Sequence, residues 1–150
     1  MTSVYGQTLS KGQTSASATI IKGLSIQRIT DLDFGVIIRG KNNARIKVHS
    51  DNSKEEYDDA HEISHKWSRA QFTVSGEPNL AFSFFISNDI VNIPGKNDYL
   101  ELDEFETDQD HQPVLDHNGN KTINVGGMLH LKPTQKDGAY LGTFSVSVAY

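Results

Sequence analysis

The sequence predicts an all-β protein, an immunoglobulin-like antiparallel β-sandwich, on three observations. Apolar residues recur at every second position, most clearly in residues 140–150, where small or polar residues alternate with them. Side chains of a strand point alternately to opposite faces, so this spacing predicts one buried and one solvated face. Turn-forming residues separate such runs about every 8–12 residues, as in sandwiches. A length of 150 residues suits a single core.

The same alternation runs through most of the chain and predicts the strands in order. A first strand opens at Leu24 and Ile26, and the residues Gly76-Glu-Pro-Asn79 separate two later strands. Asn118-Gly119 can take positive φ at both turn positions, so it predicts a hairpin between residues 114–115 and 123–125. The remaining alternating runs are 34–38, 44–48, 72–74, 80–86 and 129–131.

Two polar stretches interrupt the strand pattern. Residues 52–68 have no period of two, and Asn52 or Ser53 could cap a short helix with acidic residues in its first turn. We therefore expect one short helical or irregular excursion from the sandwich there. Residues 103–113 concentrate negative charge around Phe105 and predict a solvated loop. The domain organisation expected is a flexible extension, residues 1–14, followed by one domain, residues 15–150.

Composition excludes several classes of function. Fourteen basic residues are scattered among nineteen acidic ones, giving a net charge of -5, so nucleic acid is not an expected partner. No apolar run is long enough for a membrane span. The absence of cysteine removes disulfides and thiol chemistry. The N-terminus shows no apolar signal region, and we expect a secreted or cell-surface protein whose signal peptide has been removed.

The segment His61-Glu-Ile-Ser-His65 matches the zinc-hydrolase motif H-E-x-x-H. On a helix, His61 and His65 would share one face and bind zinc, while Glu62 activated a metal-bound water. The motif also needs a stable helix and a third ligand, and the surrounding sequence predicts strands. We therefore expect no enzyme, no catalytic residues and no cofactor. The two histidines remain candidate metal ligands, and a zinc hydrolase remains a remote alternative.

Three aromatic residues form a candidate ligand loop, Trp67, Tyr57 and Phe105. Aromatic faces stack on the apolar faces of sugars, which would suit a monomeric secreted surface module or a glycan-binding adhesive module. A lone tryptophan beside a sheet is more often part of the core. The adhesive module is therefore the second function hypothesis.

Four motifs occur in order along the chain: Asp31-Leu-Asp-Phe-Gly35, residues 70–76, residues 125–131 and residues 138–150. Together they resemble a family of small secreted bacterial β-sandwich domains that has no assigned function. Their signatures are similar to those of spore-coat-U-like proteins and archaic chaperone-usher pilins. The resemblance covers most of residues 18–150. It implies export, a surface location, and a periplasmic chaperone and an outer-membrane usher as partners.

The resemblance implies a pilin-like structural subunit of a bacterial surface filament. In such fimbrial assembly, an incomplete sandwich leaves an apolar groove and an unpaired strand edge, and a neighbour's N-terminal extension fills both. The predicted donor residues lie within residues 2–22 and are Val4, Tyr5, Leu9, Ala16, Ala18 and Ile20. The predicted acceptor groove comprises Phe144, Val146, Val148 and Tyr150. The alternative is that residues 15–22 form the first strand of a self-complete sandwich.

Overall fold

The computed structural model of the chain describes residues 9–109 and 112–150, and this part contains strands but no helix. All strand pairs are antiparallel, which confirms the predicted all-β sandwich class. Its eleven strands are β1 (Ser25–Thr30), β2 (Ile37–Ile38), β3 (Ala44–Val48), β4 (Lys54–Tyr57), β5 (His61–Glu62), β6 (Ala70–Ser75), β7 (Ser83–Ile86), β8 (Val91–Pro94), β9 (Tyr99–Thr107), β10 (Asn120–Leu131) and β11 (Val146–Ala149).

The large sheet is organised around β10. On one side of this long strand, residues 120–125 pair with β6 and residues 127–131 pair with β3. On its other side lies β9, and β1, β4 and β8 extend the sheet outward. A Cβ at Gly126 would collide with the backbone carbonyl of Val48, so glycine permits the close approach at the junction.

Two further strand pairs complete the architecture, β7 with β11 and β2 with β5. The buried apolar residues form two clusters, one under β3, β9 and the second half of β10, the other under β6 and the first half of β10. Phe105 and Phe144 pack against both clusters, with ring centroids 5.0 Å apart. These two rings therefore join the two halves of the core.

The predicted turn at Asn118-Gly119 is present, but the predicted hairpin is not, because Val114 bridges Ala81 and residues 123–125 pair with β6. The geometry of the turn also differs from the expectation. Only Gly119 has a positive φ, 79°. Its N–H donates to the Asp116 carbonyl at 2.9 Å, and the Asp116 N–H donates to the Asn120 carbonyl at 3.0 Å. This arrangement is a turn that ends in one left-handed glycine, so Asn118 needs no unusual backbone conformation.

The excursion at residues 52–68 takes the irregular form rather than the helical one. The segment contains β4, β5 and connecting turns. β4 forms because it pairs with β3, and this pairing places oppositely charged side chains side by side, as in Lys47 opposite Glu55. Asn52 does not cap a helix; its side-chain oxygen accepts a hydrogen bond from the Arg69 N–H at 2.8 Å.

The prediction of a solvated loop over residues 103–113 was wrong for residues 103–107. They belong to β9, which pairs with β10 as far as Thr107. Phe105 packs on the core, and the Glu106 carboxylate accepts hydrogen bonds from the backbone and side chain of Ser50. Long-range pairing therefore outweighs the local acidic composition.

Candidate functional site

The inward face of the large sheet forms the floor of an open groove of about 1900 Å³. Residues 31–41 line one side, the first wall, and residues 133–144 line the other, the second wall. The floor is apolar and consists of Ala70, Phe72, Val91, Ile93, Leu100, Leu102, Leu129 and Leu131. The walls carry exposed apolar side chains, since Val36, Ile38 and Leu141 are 57%, 54% and 84% exposed.

The first wall is held in place by one buried carboxylate, that of Glu62. It accepts hydrogen bonds from three backbone N–H groups, those of Ser64 at 2.7 Å, His65 at 3.0 Å and Val36 at 3.3 Å. A Cβ at Gly35 would collide with this carboxylate, and Gly35 has a φ of 76° that favours glycine. Glu62 therefore fixes the path of the first wall over the core.

The electrostatics of Glu62 keep it ionised at neutral pH. Burial acts to raise the pKa of this carboxyl, but the hydrogen bonds from Ser64, His65 and Val36 outweigh burial and lower its pKa to about 2. The Lys54 ammonium lies 3.6 Å from it. The same ammonium, 2.6 Å from Glu56, lowers the pKa of that neighbouring carboxyl to about 2 against the opposing effect of burial.

The H-E-x-x-H segment does not adopt the helix that its zinc chemistry requires. His61 lies in β5 and its ring contacts Glu56 at 3.0 Å, whereas His65 follows in a turn with a φ of 55°. Glu62 is committed to backbone N–H groups. Among the described residues no cluster of three or more histidine or carboxylate side chains could hold a metal ion.

The second wall is fixed from its outer side. Buried Gln135 donates from Nε2 to the Tyr99 carbonyl at 2.7 Å, and the Tyr140 hydroxyl donates to the Lys136 carbonyl at 2.6 Å. The Leu141 N–H donates to the Pro94 carbonyl at 3.0 Å. These bonds hold residues 135–141 against β8 and β9.

Arg39 connects the two walls at one end of the groove. Its Nε donates to the Pro133 carbonyl at 3.2 Å, and its guanidinium pairs with the Asp137 carboxylate. The first wall carries Arg39, and the second carries both partners. This bridge therefore closes one end of the groove.

Several of the described strands have an unpaired edge, among them β4 and β8 at the margins of the large sheet. Within the described ranges, β1 pairs only with β6 and β11 pairs only with β7. An unpaired edge presents a row of free N–H and C=O groups to which another strand can add. The domain therefore offers both an apolar groove and main-chain partners for an added strand.

The predicted donor segment lies outside the sandwich. Residues 9–23 contain no strand and are all exposed. Leu9 is 89% exposed and Ile20 96%, and Ala16 and Ala18 are exposed between them. The other two predicted donor residues, Val4 and Tyr5, lie outside the described residues.

The donor segment and the closed end of the groove lie at opposite ends of the domain. The segment joins the domain beside Glu77, where the Lys22 N–H donates to the Glu77 carboxylate at 2.9 Å, next to the Ser75–Asn120 pairing. From Asn120, β10 runs for twelve residues to Leu131 on the groove floor. A strand of that length spans about 36 Å.

The four predicted acceptor residues do not share one location. Phe144 lines the groove. Val146 and Val148 pack on the second core cluster, and Tyr150 lies beside Lys22 at the other end of the domain. The alternation of residues 140–150 predicted a single strand, but β11 covers only residues 146–149. The sequence analysis did not predict the floor or the first wall, which supply most of the lining. The leucines at 100 and 102 and at 129 and 131 have the spacing of buried strands. This spacing does not show that a groove lies above them.

The three aromatic residues of the predicted ligand loop already have partners. The Arg45 guanidinium lies 4.7 Å from the Tyr57 ring centre, and the Lys54 ammonium lies 4.4 Å from that of Trp67. The Trp67 indole N–H donates to the Asn52 carbonyl at 2.9 Å. Phe105 lies in β9 and packs on Phe144 rather than projecting from a loop. Sugar binding by these residues stays a prediction.

Comparison with known protein families identifies the family of the domain. Residues 24–150 match the family described as domain of unknown function (DUF4402). The chain belongs to this family. The match of the DUF4402 domain starts one residue before β1, so the exposed segment at residues 9–23 precedes the matched region. No curated protein and no solved structure gave a significant match. Membership of a family of unknown function is thus confirmed, and the resemblance to spore-coat-U-like proteins and pilins stays a prediction. Within the described residues no helix could span a membrane.

Proposed function

We propose that this DUF4402 chain is a pilin-like structural subunit of a bacterial surface filament. In this proposal, the N-terminal segment of one subunit adds as a strand in the groove of the next. The observation that carries the proposal is the pairing of two complementary features, an open apolar groove and a fully exposed segment with alternating apolar residues. Addition of the segment as a strand would use both features, because main-chain hydrogen bonds give affinity and every second side chain fills the groove.

The position of the two features favours a chain of subunits over a closed pair. The segment joins the domain beside Glu77, whereas the groove is closed near Pro133 at the far end of β10. A head-to-tail contact between unlike surfaces produces an open filament unless the rotation closes a ring. Residues 9–22, if extended, span about 45 Å, which is enough to reach along a neighbouring domain.

Burial of the exposed apolar side chains of the segment would favour association. Ile20 and Leu9 are almost fully exposed, and burial of each side chain would contribute about 2 kcal/mol. Backbone hydrogen bonds to a free edge add to this contribution. In the same proposal, a periplasmic chaperone covers the groove before assembly and an outer-membrane usher exports the subunits, which places the protein at the cell surface.

Size-exclusion chromatography and electron microscopy test the proposal on three proteins: the full chain, a chain lacking residues 2–22, and Ile20→Asp. The full chain should form filaments or ladders, and the other two should remain folded monomers. Thr19→Asp is the matched control, because it adds the same charge one position away, on the opposite side of an extended strand. A full chain that stays monomeric, with the stability of the truncated chain, would contradict the proposal and favour the monomeric adhesive module.

A further inference from the structure

We infer that Tyr150 and Glu77 form a clamp that fixes the direction in which the N-terminal segment leaves the domain. The clamp itself is a property of the single chain. Its consequence, a defined angle between successive subunits, rests on the proposed function. The structure assigns this positioning role to two side chains that do not line the groove.

The clamp holds both backbone groups of one residue, Lys22. The Tyr150 hydroxyl donates to the Lys22 carbonyl at 2.5 Å and accepts a hydrogen bond from the Glu77 N–H at 2.8 Å. The Glu77 carboxylate accepts from the Lys22 N–H at 2.9 Å. Three hydrogen bonds therefore connect Lys22, Glu77 and Tyr150 in a closed arrangement.

Gly76 makes room for this arrangement. A Cβ at Gly76 would lie 2.5 Å from the Tyr150 hydroxyl oxygen and 2.8 Å from a methyl carbon of Leu24. Both distances are too short for real contacts, so a larger residue would push the tyrosine away from Lys22. The turn after β6 is thus shaped to admit the phenol.

The clamp is needed because the next residue is flexible. Gly23 has open space around it, since a Cβ built there would meet no atom within 4 Å. Glycine has the widest range of backbone conformations, so an unclamped Lys22 would swivel about Gly23. With Lys22 held, the segment leaves the domain in one direction, and a donated strand would transmit that direction to the next subunit.

Distance measurements between two spin labels test the clamp in the single chain. The protein has no cysteine, so Thr19→Cys with Thr122→Cys gives site-specific labels on the segment and on β10. Labelled protein is diluted into excess unlabelled protein so that only distances within one chain are recorded. Tyr150→Phe and Glu77→Ala should each broaden the distance distribution about twofold, because each removes a hydrogen bond to Lys22 and the freed glycine samples many conformations. Tyr99→Phe is the control, since it removes a hydroxyl outside the clamp, and unchanged widths in both clamp variants would overturn the inference.

Filament stiffness tests the consequence separately. Filaments of Tyr150→Phe should form in normal amounts, because the groove and the apolar segment are intact, but their persistence length should fall about twofold through the added freedom at Gly23. Unchanged stiffness together with broadened distances would overturn the role of the clamp in the filament. If the unmodified chain forms no filaments, the proposed function fails, while the distance measurement still decides whether the clamp exists.

Discussion

Replacement of Glu62 by glutamine should destabilise the domain at neutral pH and leave little difference in acid. The ionised carboxylate accepts hydrogen bonds from the backbone of Val36, Ser64 and His65. Glutamine has one acceptor oxygen, and its NH₂ group would face N–H donors. A buried donor without an acceptor costs about 1–3 kcal/mol.

The pH dependence of this stabilisation follows from the direction in which folding shifts the pKa of Glu62. The folded pKa of Glu62, about 2, lies below the ordinary value of 4.5. The unfolded chain therefore binds a proton more readily, so the stabilising contribution is complete above about pH 4.5 and is lost as the pH falls towards 2. The difference between the pKa of 4.5 and the folded pKa of about 2 corresponds to about 3 kcal/mol of unfolding free energy, at about 1.36 kcal/mol per pKa unit.

Urea unfolding of the chain and of Glu62→Gln, measured from about pH 7 down to about pH 2, provides the assay. The difference in unfolding free energy should be about 3 kcal/mol near neutrality and should approach zero near pH 2. Glu101→Gln, at an exposed position on β9, is the matched control and should show no such convergence. A difference between Glu62→Gln and the unmodified chain that stays constant with pH would refute the assigned role of the carboxylate.

Two further predictions concern the groove and the sheet junction. Arg39→Ala removes the exposed bridge to Asp137, so the unfolding free energy should fall by less than about 1 kcal/mol, while amide hydrogen exchange in the first wall should accelerate. Lys96→Ala, at an exposed position outside both walls, should leave that exchange unchanged. Gly126→Ala should cost about 3 kcal/mol or more in urea unfolding, because its Cβ would collide with the backbone of β3. Gly12→Ala, which has open space, should cost almost nothing, and an equal effect at the two glycines would contradict the close approach at the junction.

The strand content could be predicted from sequence because alternation is a local property. Residues 44–48 and 70–75 alternate strictly, and the structure buries every second residue in both. Alternation also showed which residues face the core at 129 and 131. It does not reveal which strand pairs with which, so the division of β10 between β6 and β3 could not be derived.

The groove could not be predicted from the sequence, because it exists only where a segment with a strand pattern has no partner strand. Phe144 and the residues after it alternate regularly, yet only residues 146–149 find a partner strand, and the wall before them is held instead by Gln135 and Tyr140. The H-E-x-x-H string was misleading for a related reason. Its local pattern suits a helix, but contacts between Glu62 and the first wall, 26 residues away at Val36, determine its conformation.

Binding of a peptide with the sequence of residues 2–22 to the chain that lacks those residues tests the central claim most directly. Isothermal titration calorimetry should show one peptide bound per domain, and an Ile20→Asp peptide should bind at least about tenfold more weakly, equivalent to about 1.4 kcal/mol. A Thr19→Asp peptide should bind nearly as well as the unmodified one. Absence of binding, or equal binding of all three peptides, would contradict the claim that the groove receives the N-terminal segment of a second copy.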